Sequence, residues 1–121
     1  MTPKGKILVV DDEEAILKIL SIKLRVSGYE AMTAADGKRG LDLIRSNKPD
    51  LVLLDLILPG ISGLQLLEKL RDREKLPIIA LSARPENAQK AISLGADDFI
   101  AKPFDVDSLV KRIDKFLNHK K

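Results

Sequence analysis

Residues 51–60 read LVLLDLILPG, and this stretch decides the fold. Its first four residues form an unbroken apolar run, which is typical of a strand covered by helices on both faces of a parallel sheet. Asp55 ends the run, and Pro59-Gly60 breaks the chain soon afterwards. The pattern predicts a central strand over 50–55 that carries one carboxylate at its end.

Outward from this stretch, short apolar runs alternate with longer amphipathic segments, and the alternation occurs five times. Such alternation is the signature of βα units and a parallel sheet. The other strands are expected at 6–10, 30–33, 77–81 and 99–101. With right-handed crossovers, the prediction is a single α/β domain over 1–121, a flavodoxin-like doubly wound sheet of order 2-1-3-4-5 with five helices.

Helix boundaries are predicted from caps and breakers. Asp36 is expected to cap the second helix, and Gly95 to lie just past the end of the fourth. Pro85 suits a first helical position, so the fourth helix is predicted over 85–94. The fifth helix is expected over 106–117.

Polar side chains follow four of the predicted strands. Asp11 and Asp12 follow the first strand, Asp55 the third, Ser82 the fourth and Lys102 the fifth. Ligands of doubly wound sheets bind outside the carboxyl ends of the strands, where the strand order reverses. The sequence therefore predicts that three carboxylates, a hydroxyl and an ammonium meet at one edge.

This set of groups suits a divalent cation and a phosphoryl group. Mg²⁺ is usually held by one or two carboxylates together with a phosphate, and a carboxylate can attack phosphorus to form an aspartyl phosphate. Asp55 is the predicted nucleophile because it stands alone at the end of the central strand. Singly, these residues have plainer interpretations: Asp12 as a helix cap, Asp55 as a loop cap, Ser82 as a turn cap and Lys102 as a solvated lysine.

Composition narrows the functional classes. The chain has 121 residues, of which 45% are hydrophobic, 32% charged and 3% aromatic, and its formal net charge is +3. The small charge and the scarcity of aromatic residues argue against direct nucleic-acid binding. Without cysteine there is neither a thiolate metal site nor a cysteine nucleophile. No apolar stretch is long enough to span a bilayer, so we expect a cytoplasmic protein that does not contact membranes.

The motifs VVDDEE, LVLLDLILPGISG, IIALSA and GADDFIAKPF, in this order and spacing, resemble the receiver domain of two-component response regulators. The resemblance extends over essentially the whole chain. It implies that Asp55 is the phosphoacceptor and that Asp11 and Asp12 bind Mg²⁺ with it. The backbone carbonyl of Ile57 would complete the protein's share of the metal shell.

The resemblance also implies a switch. Lys102 matches the lysine that contacts the phosphoryl group, Ser82 the switch hydroxyl and Phe99 the switch aromatic. Ile57 occupies a position linked to the lifetime of the phosphoryl group, and an apolar side chain there leads us to expect a long-lived phosphoform. Ser62 departs from the aspartate that is common in this turn of the family, a change that should affect the loop more than the chemistry.

The expected function is transfer of a phosphoryl group to Asp55 from a sensor histidine kinase or a histidine phosphotransfer protein. The chain would catalyse this step but act mainly as a switch. The surface of helix four, strand five and helix five would then bind a downstream protein, an output domain or a second copy. Three alternatives stay open: the amino-terminal part of a longer transcription regulator, an aspartyl-phosphate phosphatase, and a pseudo-receiver that works without phosphate. The phosphatase is disfavoured because Ile57 cannot supply a proton.

Overall fold

The computed structural model describes residues 2–70 and 76–117. Strands and helices alternate along this part of the chain, as the sequence predicts. The strands are β1 (Lys6–Val10), β2 (Glu30–Ala34), β3 (Leu51–Asp55), β4 (Ile78–Ser82) and β5 (Asp98–Ala101). The helices are α1 (Glu14–Val26), α2 (Gly37–Asn47), α3 (Gly63–Leu70), α4 (Asn87–Ser93) and α5 (Val106–Leu117).

The strands form one parallel sheet in the order β2-β1-β3-β4-β5. Every residue of β3 and β4 is buried, whereas the edge strands β2 and β5 are partly exposed. The burial follows from position, because central strands are covered by helices on both faces. The predicted flavodoxin-like, doubly wound fold and its strand order are confirmed.

Two hydrophobic layers cover the two faces of the sheet. One layer packs α1 and α5 against alternate residues of β1, β3 and β4, and its fully buried members include Leu20, Leu24, Leu53, Leu81 and Ile113. The other layer packs α2, α3 and α4 against the intervening residues, among them Val10, Leu54, Leu66 and Ala91. Each strand thus contributes to both layers, as the twofold alternation of its side chains requires.

The connection from β3 to α3 has its own cap. Ser62 N donates to Gln65 Oε1 at 2.9 Å, and Gln65 N donates to Ser62 Oγ at 3.1 Å. This reciprocal capping box satisfies amide groups at the start of α3. Ser62 therefore has a structural role in this loop, as the residue that caps α3. Similarly, Asp36 caps α2 as predicted, accepting from Arg39 N at 2.8 Å.

Helix α4 begins at Asn87, so the prediction that Pro85 occupies its first position is wrong by two residues. Asn87 N donates to Arg84 O and Ala88 N donates to Pro85 O, which are bonds between residues three apart. The chain makes a tight 3₁₀-type turn before the α-helix starts. Gly95, with φ of +112°, lies past the end of α4 as expected.

No helix within residues 2–70 and 76–117 is long and apolar enough to cross a bilayer.

Candidate functional site

The site lies at the carboxyl edge of the sheet. Asp11 directly follows β1, Asp55 and Ser82 end β3 and β4, and Lys102 directly follows β5. Backbone hydrogen bonds continue past the strands and fix these ends relative to one another. For example, Lys102 N donates to Ser82 O at 2.9 Å. The sheet thus brings the predicted residues to one edge.

Three carboxylates cluster at this edge. One oxygen from each of Asp11, Asp12 and Asp55 lies within 4.8 Å of the others. Asp11 is fully buried and Asp55 is 5% exposed, whereas Asp12 is exposed to solvent. Grouped carboxylate oxygens are the ligands that Mg²⁺ and Ca²⁺ prefer, so the donor set could hold such a cation.

Lys102 is the cation that the chain itself supplies. Its Nζ donates to Asp11 Oδ2 at 2.8 Å, to Asp55 Oδ2 at 3.0 Å and to Glu13 Oε1 at 3.1 Å. The peptide bond from Lys102 to Pro103 is cis. One ammonium thus contacts three carboxyl groups, and Asp12 adds a fourth to the cluster, so acidic charge remains that a metal ion could neutralise.

Burial and charge shift two pKa values here. Burial raises the pKa of Asp11 above its ordinary value, and the nearby Asp55 charge adds to that rise, against the hydrogen bonds from Lys102 and Glu13 N. Burial alone would lower the pKa of Lys102. Its hydrogen bonds to Asp11, Asp55 and Glu13 outweigh burial and raise that pKa well above the ordinary value. Lys102 therefore stays charged at neutral pH.

A pocket of about 200 Å³ opens beside Asp55. Its lining residues are Asp12, Glu13, Asp55, Ile57, Ala83 and Lys102. Ile57 N donates to Asp55 Oδ1 at 3.0 Å, and Ile57 is 48% exposed. The Asp55 carboxylate is therefore fixed by one donor on each oxygen beside an open space.

Ser82 lies deeper than these groups. It is fully buried, and its Oγ accepts hydrogen bonds from Arg84 N at 3.0 Å and from Asn87 Nδ2 at 3.3 Å. Phe99, on the edge strand β5, is half-buried and packs against the layer that contains α4. In this structure, the Ser82 hydroxyl is thus bonded to the connection between β4 and α4.

Sequence reasoning did not identify two contacts of the site. Glu13 is the N-cap residue of α1, but its side chain makes no capping hydrogen bond and accepts one from Lys102 instead. The sequence feature that could have identified Glu13 is its place as the third acid of the motif VVDDEE. No sequence feature could have identified Asn87, because its contact with Ser82 depends on where α4 starts.

A second, apolar concavity adjoins the pocket and is called here the α1 groove. It measures about 400 Å³. It is lined by Glu13, Ile16, Ile19, Leu20, Ala83, Lys102, Pro103, Phe104 and Val106. The groove shares Glu13, Ala83 and Lys102 with the pocket beside Asp55, so a molecule that fills it also reaches the rim of the acidic cluster.

A doubly wound sheet of this order with an acidic cluster and a lysine at its carboxyl edge defines a class of small signalling domains. The family model of the response regulator receiver domain matches residues 7–114. The chain therefore belongs to this family and is the receiver domain of a two-component response regulator.

Solved structures agree with this assignment. The Francisella response regulator 1452 receiver domain is 34% identical, with a TM-score of 0.89 over 97% of this chain and 99% of that one. The chemotaxis response regulator CheY4 of Vibrio cholerae is 30% identical, with a TM-score of 0.86 over 97% and 100%. NtrX from Brucella abortus, solved with ADP, is 37% identical with a TM-score of 0.88, over 98% of this chain but 28% of NtrX.

Proposed function

We propose that this receiver domain accepts a phosphoryl group on Asp55 in a Mg²⁺-dependent reaction. The donor would be the phosphohistidine of a sensor histidine kinase or of a histidine phosphotransfer protein. The observation that carries the proposal is the position of Asp55, which is nearly buried, held on both carboxylate oxygens, and open to a pocket lined by acids and Lys102.

In the transfer step, an oxygen of the Asp55 carboxylate attacks phosphorus. The new O–P bond forms as the N–P bond of the phosphohistidine breaks, and the electron pair of that bond returns to the imidazole nitrogen. Attacking and leaving atoms must lie roughly in line, so catalysis consists mainly of positioning and charge stabilisation. Ile57 N and Lys102 Nζ supply the positioning, because each donates to one Asp55 oxygen.

The carboxylates of Asp11, Asp12 and Asp55 would hold Mg²⁺, together with the backbone carbonyl of Ile57. The bound ion would offset the repulsion between the anionic nucleophile and the anionic donor. Lys102 would then exchange its contact with Asp55 for an oxygen of the phosphoryl group. A lysine suits that exchange because its ammonium is a point charge on a flexible stem.

The output of the reaction would be a change of surface. Ser82 would move its hydroxyl toward the phosphoryl group and Phe99 would turn inward, so that the surface of α4, β5 and α5 changes. That surface would bind a downstream protein, an output domain or a second copy of the chain. The half-buried state of Phe99 supports the proposal, since such a side chain has room to move inward or outward.

The phosphodonor would dock on the α1 groove. The donor histidine must reach Asp55, so the protein that carries it must cover the rim of the pocket, and the groove continues that rim. Ile19 and Ile22 extend the apolar surface along α1, with 52% and 54% of each residue exposed. An apolar helix face with this exposure suits a helical partner.

Intact mass after incubation with acetyl phosphate and Mg²⁺ tests the chemistry. We expect the addition of one phosphoryl group, lost when the metal is chelated and lost in Asp55→Asn. Asp36→Asn is the matched control, because it makes the same change at a helix cap where asparagine serves equally well. No mass gain in the wild-type protein, with no response to beryllofluoride, would favour the pseudo-receiver instead.

A further inference from the structure

The Ser82 hydroxyl has two donors in this structure, and one of them belongs to a helix. Arg84 N is part of the same turn, but Asn87 is the first residue of α4. A serine oxygen has two acceptor lone pairs. Both are therefore engaged on the side of the β4–α4 connection, while the pocket beside Asp55 is lined by other residues.

We propose that Asn87 is a positioning residue that holds the Ser82 hydroxyl toward α4 in the unphosphorylated protein. This inference rests on the proposed function and specifies how its switch is set. Ser82 is fully buried and does not line the pocket beside Asp55, so its side chain must turn away from the Asn87 amide before its O–H can reach a phosphoryl oxygen there. The bond is therefore made in the resting state only, and its strength opposes the phosphorylated state.

The same bond joins the chemistry to α4. Within the described residues, it is the one side-chain hydrogen bond between α4 and β4. The helix has seven residues, Ala91 is its buried residue, and the side chain of its N-cap Glu86 makes no capping bond. The first turn of α4 thus has few other side-chain hydrogen bonds. It becomes freer to move once the Ser82 hydroxyl has turned away. Through this bond between Ser82 and Asn87, a change at Asp55 would be transmitted to α4 and so to the proposed output surface.

Removing the Asn87 amide should make the active conformation easier to reach. A neutral hydrogen bond that is lost on activation is worth about two- to tenfold in an equilibrium constant. In Asn87→Ala we expect beryllofluoride, with Mg²⁺, to bind about two- to tenfold more tightly than to the wild-type protein. Gln89→Ala, an exposed position on the same helix, is the matched control and should leave the affinity unchanged.

Alanine also favours the helical state, so the substitution could act without Ser82. A double-mutant cycle separates the two effects, because Asn87→Ala in a Ser82→Ala background keeps the change in helix propensity and lacks the hydroxyl. We expect the gain in beryllofluoride affinity to disappear in that background. The same gain in both backgrounds, or weaker binding in Asn87→Ala, would overturn the role of Asn87.

The titration also keeps this inference distinct from the proposed function. If the wild-type protein binds beryllofluoride and Asp55→Asn does not, the receiver chemistry stands whatever the cycle shows. If Asp55→Asn binds as tightly as the wild-type protein, both proposals are overturned. Thermal unfolding of each variant checks that the variant is folded under the conditions of the titration.

Discussion

Gly63 lies directly against the end of β3. A β-carbon at this position would lie 2.3 Å from Asp55 O and 2.4 Å from Leu56 Cα, and both of those are backbone atoms that cannot turn aside. Gly63 also donates its N–H to Leu56 O at 3.0 Å. The absence of a side chain here is what lets α3 start beside Asp55, the proposed phosphoacceptor.

Gly63→Ala should displace Asp55 as well as destabilise the fold. We expect a loss of about 1–3 kcal/mol in the free energy of unfolding, the usual range for overpacking, and slower phosphorylation by acetyl phosphate. Ser62→Ala is the control: loss of a cap costs about 1 kcal/mol, but the change makes no contact with Asp55. Equal phosphorylation rates in the two variants would contradict this interpretation.

In our hypothesis, Ile57 orders the hydrolytic water at Asp55 poorly. Its apolar side chain lines the pocket and offers no group that could orient a hydrolytic water. We therefore expect a long-lived phosphoform that Ile57→Asn shortens, as followed by loss of the phosphoryl mass with time. Ile92→Asn is a matched control, because Ile92 is also 48% exposed but lies on α4. The hypothesis would be contradicted if the wild-type phosphoform lasted only seconds and Ile57→Asn lengthened its lifetime.

Some residues of the site could be predicted from the sequence and others could not. Asp11, Asp55, Ser82 and Lys102 could be placed at one edge because each follows a strand of strong apolar character. Their roles stay predictions. Asn87 could not be found in this way, since a hydrogen bond across five residues depends on a turn geometry that the local pattern does not encode.

Among the elements, α1 has apolar residues on two faces. Leu20 and Leu24 pack into the core, whereas Ile19, Ile22 and Val26 are exposed. Residues three and four apart share one side of a helix, so the exposed three form a stripe. Lys18 and Arg25 are exposed on the same helix, which suits a partner helix with acidic residues beside its apolar face.

Ile19→Glu should therefore separate partner docking from chemistry. We expect transfer from a sensor kinase or a histidine phosphotransfer protein to fall at least tenfold, as a carboxylate would be buried at the interface. Phosphorylation by acetyl phosphate should keep the wild-type rate, because a small donor needs no docking surface. Lys38→Glu, an exposed position on α2, is the control. A parallel loss with both donors would mean that the substitution damages the site itself.

An exposed ion pair connects α1 with α5. Lys23 Nζ lies 2.5 Å from Asp107 Oδ1, and this hydrogen bond, with the lysine charge, lowers the pKa of the Asp107 carboxyl. A lowered folded-state pKa means that the pair stabilises the fold above the ordinary aspartate pKa. That stabilisation is lost as the pH falls through the lowered value.

An NMR pH titration of the Asp107 side chain tests the pair. We expect a midpoint below the ordinary aspartate value in the wild-type protein and a return toward that value in Lys23→Met. Lys111→Met is the control and should move the midpoint less, because Lys111 is the weaker of the two influences. The same midpoint in Lys23→Met and the wild-type protein would show that the pair does not form in solution.

Element boundaries show a second limit of sequence reasoning. The predicted bounds of α5 match the observed ones, because the apolar face of this helix is continuous from Leu109 to Leu117. For α4, Pro85 was expected at the first helical position, yet the chain makes a 3₁₀-type turn first. Proline fits either turn equally well, so its presence could not distinguish them.

In the whole molecule, Lys102 stabilises the acidic edge. Asp11 and Asp55 are buried and share this ammonium. In Lys102→Met they lose it, and breaking a buried ion pair costs about 3–5 kcal/mol. We expect a lower melting temperature that Mg²⁺ raises more in this variant than in the wild-type protein. Lys111→Met should not change the response to Mg²⁺, and equal responses in Lys102→Met and the wild-type protein would contradict the prediction.

The Lys102 ammonium also bears on when a metal ion would be needed. Because Lys102 is part of the chain, it is present at the acidic edge from the moment the protein folds, at a fixed ratio of one per molecule. The fold therefore has a built-in counterion and need not wait for an ion from the surroundings. If phosphorylation depends on Mg²⁺ as proposed, the fold and the phosphorylation step would rely on different cations, and depletion of Mg²⁺ would stop phosphorylation without unfolding the domain.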